Sequence, residues 1–281
     1  MSLTRNEVIK LLGQHGLVPS RALGQNFVVD LNTIVAVVRA ACLSPEDSVV
    51  EIGPGLGSLT TALAAEVQRV LTVEADSYLL APLQEVLEAS QAVNVEVVHA
   101  DATTQQWREH LGDGSQRWVL VANLPYNIAV PLLLDLLDSE PRIGSFTVML
   151  QTEVAERLVA DVGTKAYGIP SLKVAYWCEA RIVRSVAASV FYPRPKVSSA
   201  VVRLERRPVP ATDVDPRLLF DLIRAAFGQR RKMLRRSLST IVHPHCFARA
   251  DVDPTARPEQ LTLAQWACLA KAHLADAHSR S

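Results

Sequence analysis

From Val49 to Gln151, short apolar runs alternate with stretches of helical periodicity, and this alternation restricts the chain to few folds. SVVEIG, RVLTVE, NVEVVHA, WVLVAN and SFTVMLQ read as strands; SLTTALAAEV, SYLLAPLQEVLE and AVPLLLDLLD lie between them as helices. A strand with one face in water alternates apolar and polar residues. These runs are β-rich without regular polar positions, so a mostly parallel, Rossmann-like sheet covered by helices on both faces is expected. Two further helical stretches, NEVIKLLGQHG and LNTIVAVVRAACL, flank the irregular LVPSRALGQNFVVD and form an N-terminal arm. Beyond AVVRLERRPVPATDVDP, punctuated by Pro208, Pro210 and Pro216, the strand signal ends and helices follow. The predicted division is an α/β domain over 1–207 and a small all-helical domain over 208–281.

The net charge of zero conceals an asymmetry. Residues 1–205 hold 16 Lys and Arg against 22 Asp and Glu, whereas 206–281 hold 13 against 7. The helical tail is therefore the part expected to meet a polyanion. Arg224, Arg230, Arg231, Lys232, Arg235 and Arg236 follow one another without an intervening acid. Placed on one helix they would cover more than one face, which favours phosphate contact over a merely solvated surface. No apolar run reaches the ~18–20 residues of a membrane-spanning helix, and the N-terminus has no signal-peptide core, so a cytoplasmic protein is expected. Cys42, Cys178, Cys246 and Cys268 form no CxxC pair and read as buried thiols. His243-Pro244-His245-Cys246 offers metal-ligand residue types, but crowded into four positions with no second cluster, and no metal is expected. The four tryptophans, Trp107, Trp118, Trp177 and Trp266, read as core or interface residues.

Glu51-Ile52-Gly53-Pro54-Gly55-Leu56-Gly57 stands where a strand gives way to a helix. Glycines there let the backbone turn tightly and approach a ligand, and the helix start offers free N–H groups. The spacing is ExGxGxG rather than the GxGxxG of a dinucleotide site, which argues against a dehydrogenase. Glu74 ends the next strand, placed to accept hydrogen bonds from ribose hydroxyls, and Asp101 ends the third, placed to reach an adenine edge. Glycines and acids at the ends of consecutive strands point together to an adenosine ligand, and the ExGxGxG form points to S-adenosylmethionine. The expected fold is therefore that of a class I S-adenosylmethionine-dependent methyltransferase.

The fourth strand runs into Asn123-Leu124-Pro125-Tyr126. An exocyclic adenine amine is a poor nucleophile because its lone pair is delocalised into the ring. The Asn123 side-chain oxygen and the Leu124 carbonyl would accept its two protons and favour a pyramidal nitrogen, with Tyr126 stacked on the base. No strong general base is required, and positioning carries the rate.

RALGQNF (21–27), VVEIGPGLGSLT (49–60), Glu74, HADAT (99–103), VANLPYNIAVPLL (121–133), FYPRPKVSSAVVRL (191–204) and FGQRRKMLRRSL (227–238) occur in one order. In this the chain resembles the rRNA adenine N6,N6-dimethyltransferases, most closely their bacterial small-subunit branch. The resemblance implies donor contacts from Asn26, Val28, Gly53, Gly55, Glu74, Asp101 and Asn123. Val28 stands where the family usually has leucine. It further implies that Phe191 packs on the target base opposite Tyr126, with Asn123, Leu124, Pro125 and Tyr126 at the reacting amine. Arg230, Arg231, Lys232, Arg235 and Arg236 would hold RNA. The implied reaction is double methylation of two adjacent adenosines in a hairpin loop near the 3′ end of small-subunit (16S) rRNA, by a monomer acting on a pre-30S particle. The large-subunit methylases that confer macrolide resistance share the catalytic domain, but usually carry NIPY or NIPF and lack the basic block. A non-enzymatic assembly factor built on the same fold would not need the intact cofactor and NLPY residues seen here.

Overall fold

The computed structural model describes residues 3–20, 22–104, 107–112 and 116–280. Arg21, the first residue of the RALGQNF block, lies outside them. In chain order the elements are α1 (Arg5–Gln14), β1 (Phe27–Val28), α2 (Leu31–Ala41), β2 (Ser48–Ile52), α3 (Ser58–Ala64), β3 (Arg69–Glu74) and α4 (Ser77–Ala89). There follow β4 (Val95–His99), α5 (Trp107–Leu111), β5 (Trp118–Asn123), α6 (Ala129–Ser139), β6 (Ile143–Gln151), α7 (Thr152–Leu158) and α8 (Ile169–Trp177). The remainder are β7 (Cys178–Val186), β8 (Phe191–Tyr192), β9 (Ser199–Arg206), α9 (Pro216–Phe227), α10 (Leu234–Ser237), α11 (Pro244–Arg249) and α12 (Leu263–Arg280).

Seven strands form one sheet in the order β4-β3-β2-β5-β6-β9-β7, and β1 pairs with β8 in a separate two-stranded ribbon. The pairings β3–β4, β2–β3, β2–β5 and β5–β6 are parallel, and β6–β9 is antiparallel. Every residue of β2 is buried, Ser48 and Glu51 included, which accounts for Val49, Val50 and Ile52 facing both sides: neither face meets water. Ile34 and Val37 of α2 and Leu59 and Leu63 of α3 pack with Val49, Val70, Val119, Val121 and Val201 of the sheet. The chain order reverses between β2 and β5, so a crevice opens beyond their carboxyl ends.

Local caps set where the helices begin. Thr4 and Glu7 form a reciprocal capping box on α1; Asp30 caps α2 through Thr33 N (2.8 Å), and Asp76 caps α4 through Tyr78 N (3.0 Å).

The chain forms two compact units, 1–155 with 181–206, and 156–180 with 207–281. The last of the three crossings, at Arg206–Arg207, stands close to the boundary expected near 208. The first two, at Ala155–Glu156 and Ala180–Arg181, have no counterpart in the sequence pattern, and the helical unit therefore includes α8 as well as α9 to α12. Its core is built from Leu172 and Tyr176 of α8, Leu219, Phe220 and Ile223 of α9, and Leu234, Leu238, Phe247, Trp266 and Leu269. Tyr167 and Tyr176 donate their hydroxyls to Leu261 O (3.0 Å) and Val214 O (2.9 Å), which ties the earlier segment to the later one.

The basic run differs from the expectation of a single helix. α9 stops at Phe227, Gly228 caps it, and 228–232 continue as turn before the four-residue α10 begins at Leu234. Arg230, Arg231 and Lys232 thus lie on a turn, with Arg235 and Arg236 on the short helix. Two of the four cysteines, Cys42 and Cys268, are exposed rather than buried. Trp107, Trp118 and Trp266 are core residues. Among the described residues no helix is long and apolar enough to cross a membrane.

Candidate active site

The loops following β2, β3, β4 and β5 meet the N-terminal segment 23–28 around a cavity of about 230 Å³. Asn26, Val28, Gly53, Gly55, Glu74, Asp101, Asn123 and Pro125 all line it, although they come from five separate stretches of chain. Main-chain bonds hold the loops in register: Gly53 N donates to Val73 O (2.9 Å) and Ala100 N to Glu74 O (3.0 Å).

The glycine loop is shaped by close approach. Gly53 has φ +69° and Gly55 φ +59°, conformations that cost an L side chain about 1–2 kcal/mol. A Cβ on Gly55 would lie 2.9 Å from Phe27 Cε1, and one on Gly53 3.4 Å from Pro125 Cγ. A side chain at Gly55 would therefore displace Phe27, which with Gly53, Gly55 and Pro125 lines the cavity.

Glu74 is 6% exposed, and its two oxygens are both engaged by the main chain. Oε2 accepts from Gly55 N (3.1 Å) and Oε1 from Asp76 N (2.9 Å). Burial raises its carboxyl above the ordinary value, and these backbone bonds act against the rise. Glu51, 1% exposed, also lines the cavity. Burial, opposed by the Thr60 hydroxyl and reinforced by the neighbouring Glu74 carboxyl, pushes Glu51 up to about 8, so it is mainly a neutral acid at pH 7. Its Oε2 has no hydrogen-bond partner. Asp101 is exposed at the rim, where Thr103 N (2.8 Å) and Thr103 Oγ1 (2.7 Å) donate to it and hold its carboxyl below the usual range.

At the end of β5, Asn123 Nδ2 donates to Asn26 O (3.1 Å). Because a main-chain carbonyl can only accept, this bond fixes which end of the amide is nitrogen. Asn123 Oδ1 is left buried with no partner. Leu124 is buried, so only its main chain is available to a ligand. Pro125 O accepts from Ile128 N (3.2 Å) and Ala129 N (3.1 Å), turning the chain into α6. Tyr126, half-buried, shares a hydrogen bond with Ser199 Oγ (2.9 Å), and burial raises its phenol.

Phe191 does not meet the expectation of a base-stacking ring. It is 0% exposed, pairs with Val28 in the β1–β8 ribbon, and packs with Ile34, Val37 and Val201. In this structure none of its faces is open to a base. Its pairing with β1 sets it against the N-terminal segment 23–28, the strap along one side of the cavity, and it does not itself line that cavity.

Sequence reasoning missed several lining residues. Gln25 spans from the N-terminal segment to the helix cap: its Oε1 accepts from Ser20 N (2.6 Å) and its Nε2 donates to Asp76 Oδ2 (2.6 Å). Asp76 also caps α4, but its bond to Gln25, which joins two distant segments, leaves no local signal in the sequence. Glu51 was legible as the first letter of ExGxGxG, but its burial was not. Ser199, which holds Tyr126 rather than lining the cavity, lies within the FYPRPKVSSAVVRL block without a role assigned.

In the helical unit Arg230 is already engaged. It donates to Lys165 O (3.0 Å) and its Nε lies 3.6 Å from Glu259 Oε2. Arg231, Lys232, Arg235 and Arg236 are exposed.

A model of the family described as ribosomal RNA adenine dimethylase matches residues 19–273. The chain belongs to this family. S-adenosylmethionine is accordingly the methyl donor, and the residues present fit it: a glycine loop in positive-φ conformations lining the cavity, and a buried carboxylate positioned by main-chain amides. Curated relatives include "Ribosomal RNA small subunit methyltransferase A" of Kineococcus radiotolerans, 45% identical over 275 residues, covering 95% of this chain and 90% of the relative. The protein of the same name in Thermobifida fusca is 44% identical, covering 96% and 95%. Among solved structures, a dimethyladenosine transferase from Plasmodium falciparum superposes with a TM-score of 0.74 at 24% identity, over 86% of this chain and 95% of that one. The 23S rRNA methyltransferase ErmE gives 0.66 at 27%, over 88% and 99%. Both carry the fold described above.

Proposed function

We propose that this adenine dimethylase converts two adjacent adenosines, in a hairpin loop near the 3′ end of small-subunit rRNA, to N6,N6-dimethyladenosine. The substrate is a pre-30S particle, and the enzyme acts on it as a monomer in the cytoplasm. The small-subunit assignment is supported by the name shared by relatives at 40–45% identity that cover nearly the whole chain.

The observation that carries the chemistry is Asn123. Its amide nitrogen is held by Asn26 O, and its buried oxygen lacks a donor. An unpaired buried acceptor costs about 1–3 kcal/mol, so the site is completed by a ligand that brings an N–H. Adenine N6 brings two: Asn123 Oδ1 takes one and the Leu124 carbonyl the other, which turns the nitrogen lone pair out of conjugation. Tyr126, anchored by Ser199, stacks on the base. When bound, S-adenosylmethionine supplies an electrophilic methyl on a positively charged sulfur. Glu74 holds the ribose hydroxyls, Asp101 faces the adenine end, and Asn26 and Val28 close the strap. The amine proton leaves only after attack, so neither Glu51 nor any other acid is required as a base. One N–H remains after the first transfer; one of the two acceptors holds it while the nitrogen attacks again, and the site admits the N-methyl group beside the other. Loop adenosines suit this site because they can be splayed out at little cost. Arg231, Lys232, Arg235 and Arg236 hold rRNA phosphates in this reading.

The test is incubation with labelled donor and undermethylated small subunits, followed by mapping of modified nucleotides. Label in two neighbouring adenosines, at two methyls each, is expected. Label at nucleotides other than two adjacent adenosines, or none, would refute the proposal.

A further inference from the structure

The His243-Pro244-His245-Cys246 run gains a partner in the fold that the sequence did not offer. Pro244, His245 and Cys246 form the first turn of α11, which packs against α12, and α12 brings Asp276 alongside. His245 Nε2 lies 3.1 Å from Asp276 Oδ1. The donor atoms of His245, Cys246 and Asp276 all lie within 4.8 Å of one another. Cys246 is 0% exposed and Asp276 8%, while the His245 side chain is 47% exposed. The cluster therefore has a buried floor, made of thiol and carboxyl, and an imidazole at its open lip.

We propose that His245, Cys246 and Asp276 bind a divalent transition-metal ion of the zinc type. Zinc bonds to nitrogen, oxygen and sulfur run about 2.0–2.3 Å, so donors on neighbouring tetrahedral corners lie roughly 3.2–3.8 Å apart. The imidazole and carboxylate already stand near that separation, and small side-chain rotations bring in the thiol. The donor set excludes magnesium and calcium, which prefer oxygen alone, and suits zinc. Charge also balances: one thiolate, one carboxylate and a neutral imidazole match a dication, leaving a neutral complex that tolerates partial burial. The fourth position faces outward, where the His243 ring centroid lies 4.4 Å from that of His245. On binding, the Cys246 S–H bond breaks, sulfur keeps the electron pair for the metal, and the proton passes to solvent. Affinity therefore rises with pH. The bound ion cross-links α11 to α12 within the helical unit.

The test uses full-length protein, stripped with chelator and then titrated with Co²⁺ by absorbance and with Zn²⁺ by calorimetry. One ion per chain is expected, with a thiolate-to-cobalt charge-transfer band that Zn²⁺ abolishes. Cys246→Ser should remove the band. His245→Ala, at the exposed lip, should keep the circular dichroism spectrum and weaken zinc binding at least tenfold. S-adenosylmethionine affinity should be unchanged in both variants. No saturable binding up to about 100 µM, corresponding to weaker than ~5.5 kcal/mol, would overturn the site. So would binding without the charge-transfer band, or unchanged zinc affinity in a folded His245→Ala protein, which would leave His245 and Asp276 as a simple ion pair.

Discussion

Replacing Glu74 with glutamine keeps the volume of the side chain but removes one acceptor. In the native structure each carboxylate oxygen accepts from a different backbone amide, Gly55 N at 3.1 Å and Asp76 N at 2.9 Å. A glutamine has one oxygen, so whichever way it turns, one of these amides faces an NH₂ group. The loss of that bond in a buried setting costs about 1–3 kcal/mol, and part of it appears as displacement of the glycine loop or of the α4 cap. The bound donor also loses the charge-assisted hydrogen bonds to its ribose hydroxyls, for a total of about 2–4 kcal/mol in donor affinity. That is a roughly 30- to 700-fold rise in Kd at 1.4 kcal/mol per decade. Titration calorimetry with S-adenosylmethionine reads it directly. The charge has a second signature. Burial raises the Glu74 carboxyl, so wild-type donor affinity should fall as pH is lowered through that raised value, whereas Glu74→Gln should lack this dependence. A folded variant binding within twofold of wild type would refute the ribose assignment.

Other outcomes follow from the same structure. Phe191→Ala should destabilise the protein by about 3–5 kcal/mol, read as a lower denaturation midpoint, because it empties a fully buried site. Full stability with lost turnover would instead favour a stacking role. Glu51 has a folded value raised from 4.5 to about 8, so its destabilising effect is absent below pH 4.5, grows as pH rises through the interval and levels off above 8. Glu51→Gln should therefore gain stability relative to wild type between pH 5 and 8, by up to about 3 kcal/mol at pH 7; parallel stability–pH curves would contradict this. Replacing Arg231, Lys232, Arg235 and Arg236 with glutamine should flatten the salt dependence of subunit binding by ~0.7 in log–log slope per lost contact while leaving donor affinity intact. Equal slopes would remove these residues from the RNA site.

Much of the site was legible because its signals are local. The strands β2, β3, β5 and β6 announce themselves as apolar runs buried on most positions, and the cavity-lining residues sit at or just beyond the ends of β2, β3, β4 and β5. What could not be read depends on pairing between distant segments. The burial of Phe191 follows from the two-residue ribbon that sets it against Val28, and a ribbon that short leaves no periodic pattern. The reach of the helical unit into 156–180 rests on Tyr167 and Tyr176 bonding to carbonyls far along the chain. The basic run satisfied a helical pattern by composition, yet Gly228 closes α9 before it begins. Asp276 lies thirty residues beyond Cys246 and joins it only because α12 folds back on α11.

The central claim is that Asn123 Oδ1 awaits an adenine N–H, and single-turnover methylation by Asn123→Ala tests it most directly. With undermethylated small subunits and saturating donor, the account expects transfer to N6 to fall by at least the ~10²-fold associated with losing one positioned transition-state acceptor, while RNA affinity stays near wild type. Transfer at a near wild-type rate, in a variant that binds donor and subunit normally, would contradict it.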